Sequence, residues 1–167
     1  MKQMTQDNLK AAFAGESQAH KKYTNFAERA EKEGRPNVAR LFQAAAHAER
    51  IHASNHLKVM GGIEDTAGNL TAAIGGETFE VDEMYPAYKA VAEAQGETKA
   101  LRMMDWALQA EVVHAALYKQ AHQAVTEGQD LAAFDIWVCT ACGFTMEGEP
   151  PDVCPVCGAK HDKFRKF

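Results

Sequence analysis

Two short segments, Glu49-Arg50-Ile51-His52 and Glu111-Val112-Val113-His114, each set a carboxylate and an imidazole three positions apart. On a helix that spacing puts both groups on one face, where a carboxylate oxygen and a ring nitrogen can reach the same cation. The face is otherwise apolar in both segments, and Glu16, Glu77 and Glu80 also fall on apolar stripes. Buried carboxylates without a positive partner protonate or destabilise the fold, because desolvating each charge costs several kcal/mol. Two divalent ions would offset these five carboxylates to within one unit of charge. Glutamates and Glu-x-x-His pairs projecting into a helix bundle are the ligand set for such a pair of metals. If the metal is iron, the site can exchange two electrons. His20, His47, His56, His122 and His161 lack a matching carboxylate set and read as core or surface histidines.

A second constellation lies near the carboxyl end. Cys139-Thr140-Ala141-Cys142-Gly143 and Cys154-Pro155-Val156-Cys157-Gly158 are two knuckles, each offering two thiolates to one ion, with glycine where the backbone turns tightly. The segment from Cys139 onward is only 29 residues long, too few to build a self-sufficient core, so a metal must hold it together. Trp137, Phe144 and Phe164 are its few core aromatics. Four thiolates in a tetrahedron suit zinc and iron alike, and the knuckles alone favour a structural zinc ribbon. Disulfides fit poorly, because both pairs have metal-ligand spacing.

The elements that must position these groups are helices. Apolar residues recur at steps of three and four from Leu9 to Ala30, ending at Gly34-Arg35-Pro36, and again from Val38 to Val59, ending at Gly61-Gly62. Further stripes run from Glu77 to Val91 and from Met104 to Val125. Four amphipathic helices that must bury one another's faces predict a four-helix bundle. The joins within the first and second pairs are short, so each pair is an antiparallel hairpin. Residues 61–75 show no sustained period and predict a 15-residue connection. Fully extended, it reaches about 50 Å, enough for a long crossover along a helix of about 36 Å. Tyr23, Gly34, Glu49 and His52 recur 62 positions later as Tyr85, Gly96, Glu111 and His114, so the two hairpins read as copies. The copying slips once, since 62 positions after Glu16 stands Thr78, flanked by Glu77 and Glu80.

Composition narrows the function classes. The chain has 167 residues, 46% hydrophobic and 25% charged, as expected of a globular protein. Charges interrupt every apolar run, which predicts no membrane span, and the first residues lack the apolar core of a secretion signal, so the cytoplasm is the expected compartment. A net charge of −5 argues against a nucleic-acid partner. The cysteine tail is charge-balanced, so that excess belongs to the helical part. Two domains are expected, a four-helix bundle over 1–134 and a metal module over 135–167.

Together these segments resemble rubrerythrin over essentially the full chain. The likeness is carried by Gly15-Glu16 with Tyr23, by Ala48-Glu49-Arg50-Ile51-His52-Ala53, by Gly76-Glu77 through Glu80 to Glu83-Met84-Tyr85-Pro86, by Glu111 to His114, and by both knuckles. The resemblance implies a ferritin-like bundle with a non-haem di-iron site, oxo- and carboxylate-bridged, followed by a rubredoxin-like domain with a mononuclear Fe(Cys)4 centre. It implies that Glu49 and Glu111 bridge the irons, that Glu16 and Glu77 are terminal ligands, and that His114 binds one iron. His52 and Glu80 would alternate on the other iron, and Tyr23 and Tyr85 match tyrosines beside the site. Cys139, Cys142, Cys154 and Cys157 would hold the mononuclear iron. The implied activity is reduction of hydrogen peroxide to water in oxidative-stress defence, with electrons from NAD(P)H through a reductase and often a rubredoxin. A homodimer or higher homo-oligomer is implied, the Fe(Cys)4 centre being supplied by a neighbouring subunit. Two rivals stand beside this reading: a ferroxidase or iron-handling role, and a non-enzymatic zinc-ribbon scaffold.

Overall fold

A computed structural model describes residues 1–167 and resolves into two compact units, Met1–Glu64 and Asp65–Phe167. The first unit is a helical hairpin of α1 (Gln3–Lys32) and α2 (Pro36–Val59). Gly34 ends α1 at a φ of +71°, a conformation that only glycine adopts without strain, and Arg35 N–H then closes back on the Ala30 carbonyl at 2.9 Å. Pro36 opens α2, where its missing N–H has no helical partner to lose. The hairpin seam is alanine: Ala27 and Ala30 on α1, and Ala39, Ala46 and Ala53 at steps of seven on α2, are its buried residues. Small side chains let the two backbones approach, and His20 Nδ1–H reaches across to the Ala46 carbonyl at 2.8 Å.

On α2 that seam lies one position from the expected inner stripe, whereas Ala27 and Ala30 of α1 are on it. Val38 and Val59, expected to face inward, are 43% and 62% exposed within their unit, while alanines carry the close contact.

In the second unit α3 (Thr66–Phe79) passes through a single π-turn (Glu80–Met84) into α4 (Tyr85–Ala94), and α5 (Thr98–Thr126) returns along both. Pro86 explains why the chain loosens there. It cannot donate to the carbonyl four residues back, and Tyr85 N–H instead bonds Glu80 five residues back. A three-stranded antiparallel sheet follows, in the order β2 (Thr145–Glu147), β1 (Ile136–Cys139), β3 (Phe164–Lys166). Cys139, Cys154 and Phe164 are its buried core, with Trp137, Phe144 and Met146 packed against them, so the expected aromatics are the ones used.

Four long helical segments and a small cysteine module are as the sequence predicts. The connection after α2 is not. Helix α3 begins at Thr66, ten residues before the expected end of the connection at 75, which leaves only residues 60–65 outside helix. The non-helical connection is therefore six residues long, where fifteen were expected. The reason is local: the Asp65 side chain accepts from Gly68 N–H at 2.8 Å and caps the helix start. Thr71 turns its hydroxyl onto the Ala67 carbonyl, which removes the polar group that made this stretch look like a loop. No helix is long and apolar enough to cross a membrane.

The cap at Asp65 gives a direct test of the early helix start. Asp65→Ala should lower stability by about 1 kcal/mol, or roughly 2–4 °C in melting temperature for a chain of this size. Thermal melts followed by circular dichroism measure it, and Thr66→Ala, next to the cap, should stay within about 0.5 kcal/mol.

Candidate metal centres

Each hairpin carries its own group of carboxylates and histidine. In the first, Glu16 of α1 meets Glu49 and His52 of α2, with ligand atoms all within 4.8 Å of one another. Glu49 accepts from His52 Nδ1 at 3.1 Å. A hydrogen bond between the two carboxyls, then burial, pushes the Glu16 pKa up, while the same bond and the one from His52 hold Glu49 down. Of the two, Glu16 therefore holds its proton to higher pH than Glu49.

The second hairpin repeats the pattern more tightly. Glu77 of α3 meets Glu111 and His114 of α5, again within 4.8 Å. His114 Nδ1 lies 2.7 Å from Glu111 Oε2 and 3.9 Å from Glu77 Oε2. Burial is the first cause of a Glu77 pKa pushed up to about 7, followed by the hydrogen bond and charge of Glu111 and the charge of Glu80. Its Oε2 atom is buried without any hydrogen-bond partner. A buried carboxylate oxygen with no donor, facing a second carboxylate and a ring nitrogen, is what a cation site looks like before the cation. The donor set fits a first-row metal such as iron.

Glu80 stands outside both groups, at the start of the π-turn, yet its charge acts on Glu77 and Tyr85. Burial, and then Glu111, pushes its own pKa up. Tyr85 is likewise raised, by burial and then by Glu80, Glu111 and Glu77, so its hydroxyl keeps its proton beside the carboxylates. Tyr23 packs in an aromatic cluster, 6.2 Å from Phe26 and 6.1 Å from Phe42 between ring centres. None of the five other histidines joins a ligand group.

The π-turn also accounts for the slip between the hairpins. Glu16 and Tyr23 are seven positions apart, whereas Glu77 and Tyr85 are eight apart. The extra residue sits inside Glu80–Met84, so Glu16 corresponds to Glu77 and everything from Tyr85 onward is displaced by one.

The cysteine module is preformed. Gly143 and Gly158 close the knuckles at φ of +85° and +75°, with their N–H groups on the Cys139 and Cys154 carbonyls at 2.8 and 3.0 Å. Sγ atoms of Cys139 and Cys157 lie 3.7 Å apart, and those of Cys142 and Cys154 lie 3.8 Å apart. Four sulfurs about 2.3 Å from one metal define a tetrahedron with edges of about 3.8 Å, so the pocket is sized for the ion. Disulfide bonds would need sulfurs about 2.05 Å apart, and all four cysteines are free.

One contact was not anticipated. Thr145, three residues after Cys142, is buried and places Oγ1 2.8 Å from His114 Nε2. The cysteine module therefore touches a histidine of its own chain's α5. No sequence signal pointed to it, since an isolated threonine after a knuckle carries no motif.

Two carboxylate–histidine groups on paired helical hairpins, with a four-sulfur pocket beyond them, define a non-haem di-iron carboxylate protein that also carries a mononuclear Fe(Cys)4 centre. Residues 7–122 match the rubrerythrin family and residues 137–165 its rubredoxin-like domain. The chain is 39% identical to rubrerythrin-2 of Clostridium acetobutylicum, across 98% of this chain and 97% of that one. It is 35% identical to nigerythrin of Nitratidesulfovibrio vulgaris, across 98% and 86%. A solved structure of fully reduced, all-ferrous nigerythrin is similar with a TM-score of 0.55, at 34% identity over 98% of this chain and 86% of that one. The chain belongs to the rubrerythrin family.

The raised Glu77 carboxyl sets a pH dependence for metal-free protein. An acid whose folded pKa of about 7 exceeds its ordinary value of 4.5 binds its proton more tightly when folded, so stability falls as pH rises between those values. Melts of iron-free protein at pH 5 and pH 8 should show this loss. Glu77→Gln should flatten it, and added metal should restore stability at the higher pH.

Proposed function

We propose that this chain reduces hydrogen peroxide to water in defence against oxidative stress. The carrying observation is that one chain combines two carboxylate–histidine groups with a four-cysteine pocket already shaped for a metal. A two-electron site needs resupply one electron at a time, and a tetrahedral thiolate iron supplies that. The overall balance takes one peroxide, two electrons and two protons to two waters.

In this reading Glu49 and Glu111 would be shared between the two irons, Glu16 and Glu77 would each hold one, His114 would hold one, and His52 and Glu80 would alternate on the other. When bound, the irons supply Lewis acidity and the two electrons. The side chains do the rest. Glu80, at the loosened turn, has backbone freedom to change its reach. The Tyr85 hydroxyl, kept protonated by burial and the charges of Glu80, Glu111 and Glu77, is a hydrogen-bond donor for the second group, and Tyr23 is its counterpart by the sequence repeat. Electrons come from NAD(P)H through a reductase or a rubredoxin and enter at Cys139, Cys142, Cys154 and Cys157. The protein works in the cytoplasm as a homodimer, with 1–134 as the catalytic part and 135–167 as the relay. A ferroxidase would not need the relay.

Cys157→Ser tests the division of labour, because Cys157 sits on the knuckle away from Thr145. Pre-reduced variant mixed with peroxide in a stopped-flow cell should consume about one peroxide per di-iron site at a near wild-type rate. Steady NADH consumption through a reductase should fall at least tenfold. Normal steady turnover would remove the tail as the entry point and favour a ferroxidase. Loss of the single turnover would place part of the peroxide chemistry in the tail.

A further inference from the structure

Thr145 is the one buried polar residue of the whole chain, 4% exposed. Its hydroxyl has a single proton and two lone pairs. Oγ1 lies 3.2 Å from the Gly143 carbonyl, which can only accept, and 2.8 Å from His114 Nε2. Once a metal takes Nδ1, the proton of a neutral His114 must sit on Nε2; Thr145 Oγ1 can then accept it while giving its own proton to Gly143. That Nδ1 faces Glu111 and Glu77. We propose that Thr145 is a positioning residue for His114: accepting from Nε2–H, it selects the tautomer and ring orientation that present Nδ1 to the metal. The cysteine module thus supplies the outer support of a ligand in the helical part.

The other Glu-x-x-His pair lacks this support. His52 meets Glu49 through Nδ1, has no partner on Nε2 within its hairpin, and its side chain is 54% exposed against 30% for His114. The support cannot be copied there, because Thr145 belongs to a module that follows only the second hairpin. A histidine held on both nitrogens stays put; one held on a single nitrogen can swing. Ligand histidines owe tautomer and orientation to the bond made by the second nitrogen, and losing such a partner typically lowers metal affinity 10–100-fold. The position of Thr145 supports that bond structurally. Its backbone pairs with Val138 across β1 and β2, and it follows Gly143 by two residues on the knuckle that Cys142 anchors.

This inference rests on the proposed role of His114 as a ligand, and the experiment separates the two. Iron-free wild type, Thr145→Val, Thr145→Ser and His114→Ala are titrated with cobalt(II), whose thiolate band reports the cysteine site and whose weaker bands report the carboxylate site. Thr145→Val keeps the shape and removes the hydroxyl. It should lose about 10–100-fold in affinity at one of the two carboxylate positions, with the thiolate band unchanged. Thr145→Ser should restore affinity to within about twofold. In zinc-loaded protein, nitrogen-15 NMR should show His114 protonated at Nε2 in wild type and Thr145→Ser, with a faster-exchanging proton in Thr145→Val. Wild-type affinity and proton exchange in Thr145→Val would overturn the inference, and so would equal losses in Thr145→Val and Thr145→Ser, which mark a packing role. If His114→Ala loses one cobalt and Thr145→Val loses none, the ligand assignment stands and the inference fails. If His114→Ala binds both as wild type does, both fail.

Discussion

Like charges brought within a few ångströms in partly buried surroundings govern this molecule. Glu16 against Glu49, and Glu77 against Glu111, are arrangements that a chain without a cation relieves only by retaining protons. Raised acids, an unpartnered buried oxygen and a histidine drawn to 2.7 Å of a carboxylate are three expressions of one deficit of positive charge. The hairpins are built so that relief by movement is unavailable. Alanine seams and short glycine turns hold the helices at fixed register, and the carboxylates cannot drift apart without unpacking them. Metal binding and folding are therefore the same free energy, divided between two descriptions.

The cysteine module obeys the same rule with less to spare. Its buried core is two cysteines and one phenylalanine, so the atoms that bind the ion are also the atoms that pack. An ordinary domain of this length has too little apolar surface to stay folded alone. Here the backbone supplies the geometry, through two knuckles closed by left-handed glycines, and the ion supplies most of the stability. Docking a residue of such a module on α5 joins two metal-dependent structures through one hydroxyl.

Much of this was legible in the sequence because metal ligands are chemically exacting. Glu-x-x-His on an apolar face and paired Cys-x-x-Cys leave few alternatives, and they marked both centres and the helices that bear them. What escaped notice was decided by small residues and by context. Glycines and threonines across residues 61–75 made the first part of α3 look like a loop, although one aspartate cap and a self-satisfied threonine suffice to make it helix. Valine and phenylalanine drew attention as the inner stripe, whereas alanines, on α2 one position away, decide how closely α1 and α2 approach. Thr145 acquires meaning only when strand pairing sets it against α5.

The single π-turn bears on descent. A gene that doubles one metal-binding hairpin yields two identical ligand groups, and a symmetric pair of metals has no reason to divide labour. One additional codon within the second copy changes that. It rotates everything upstream by about 100° relative to everything downstream, and the helix absorbs the strain locally at Glu80–Met84 without disturbing α5. Glutamates at 77 and 80 then flank the position that a perfect duplicate would occupy, which leaves the second hairpin one more candidate carboxylate than the first. Asymmetry in this family's ancestry is thus within reach of one insertion, followed by selection on which ligand the new register brings close.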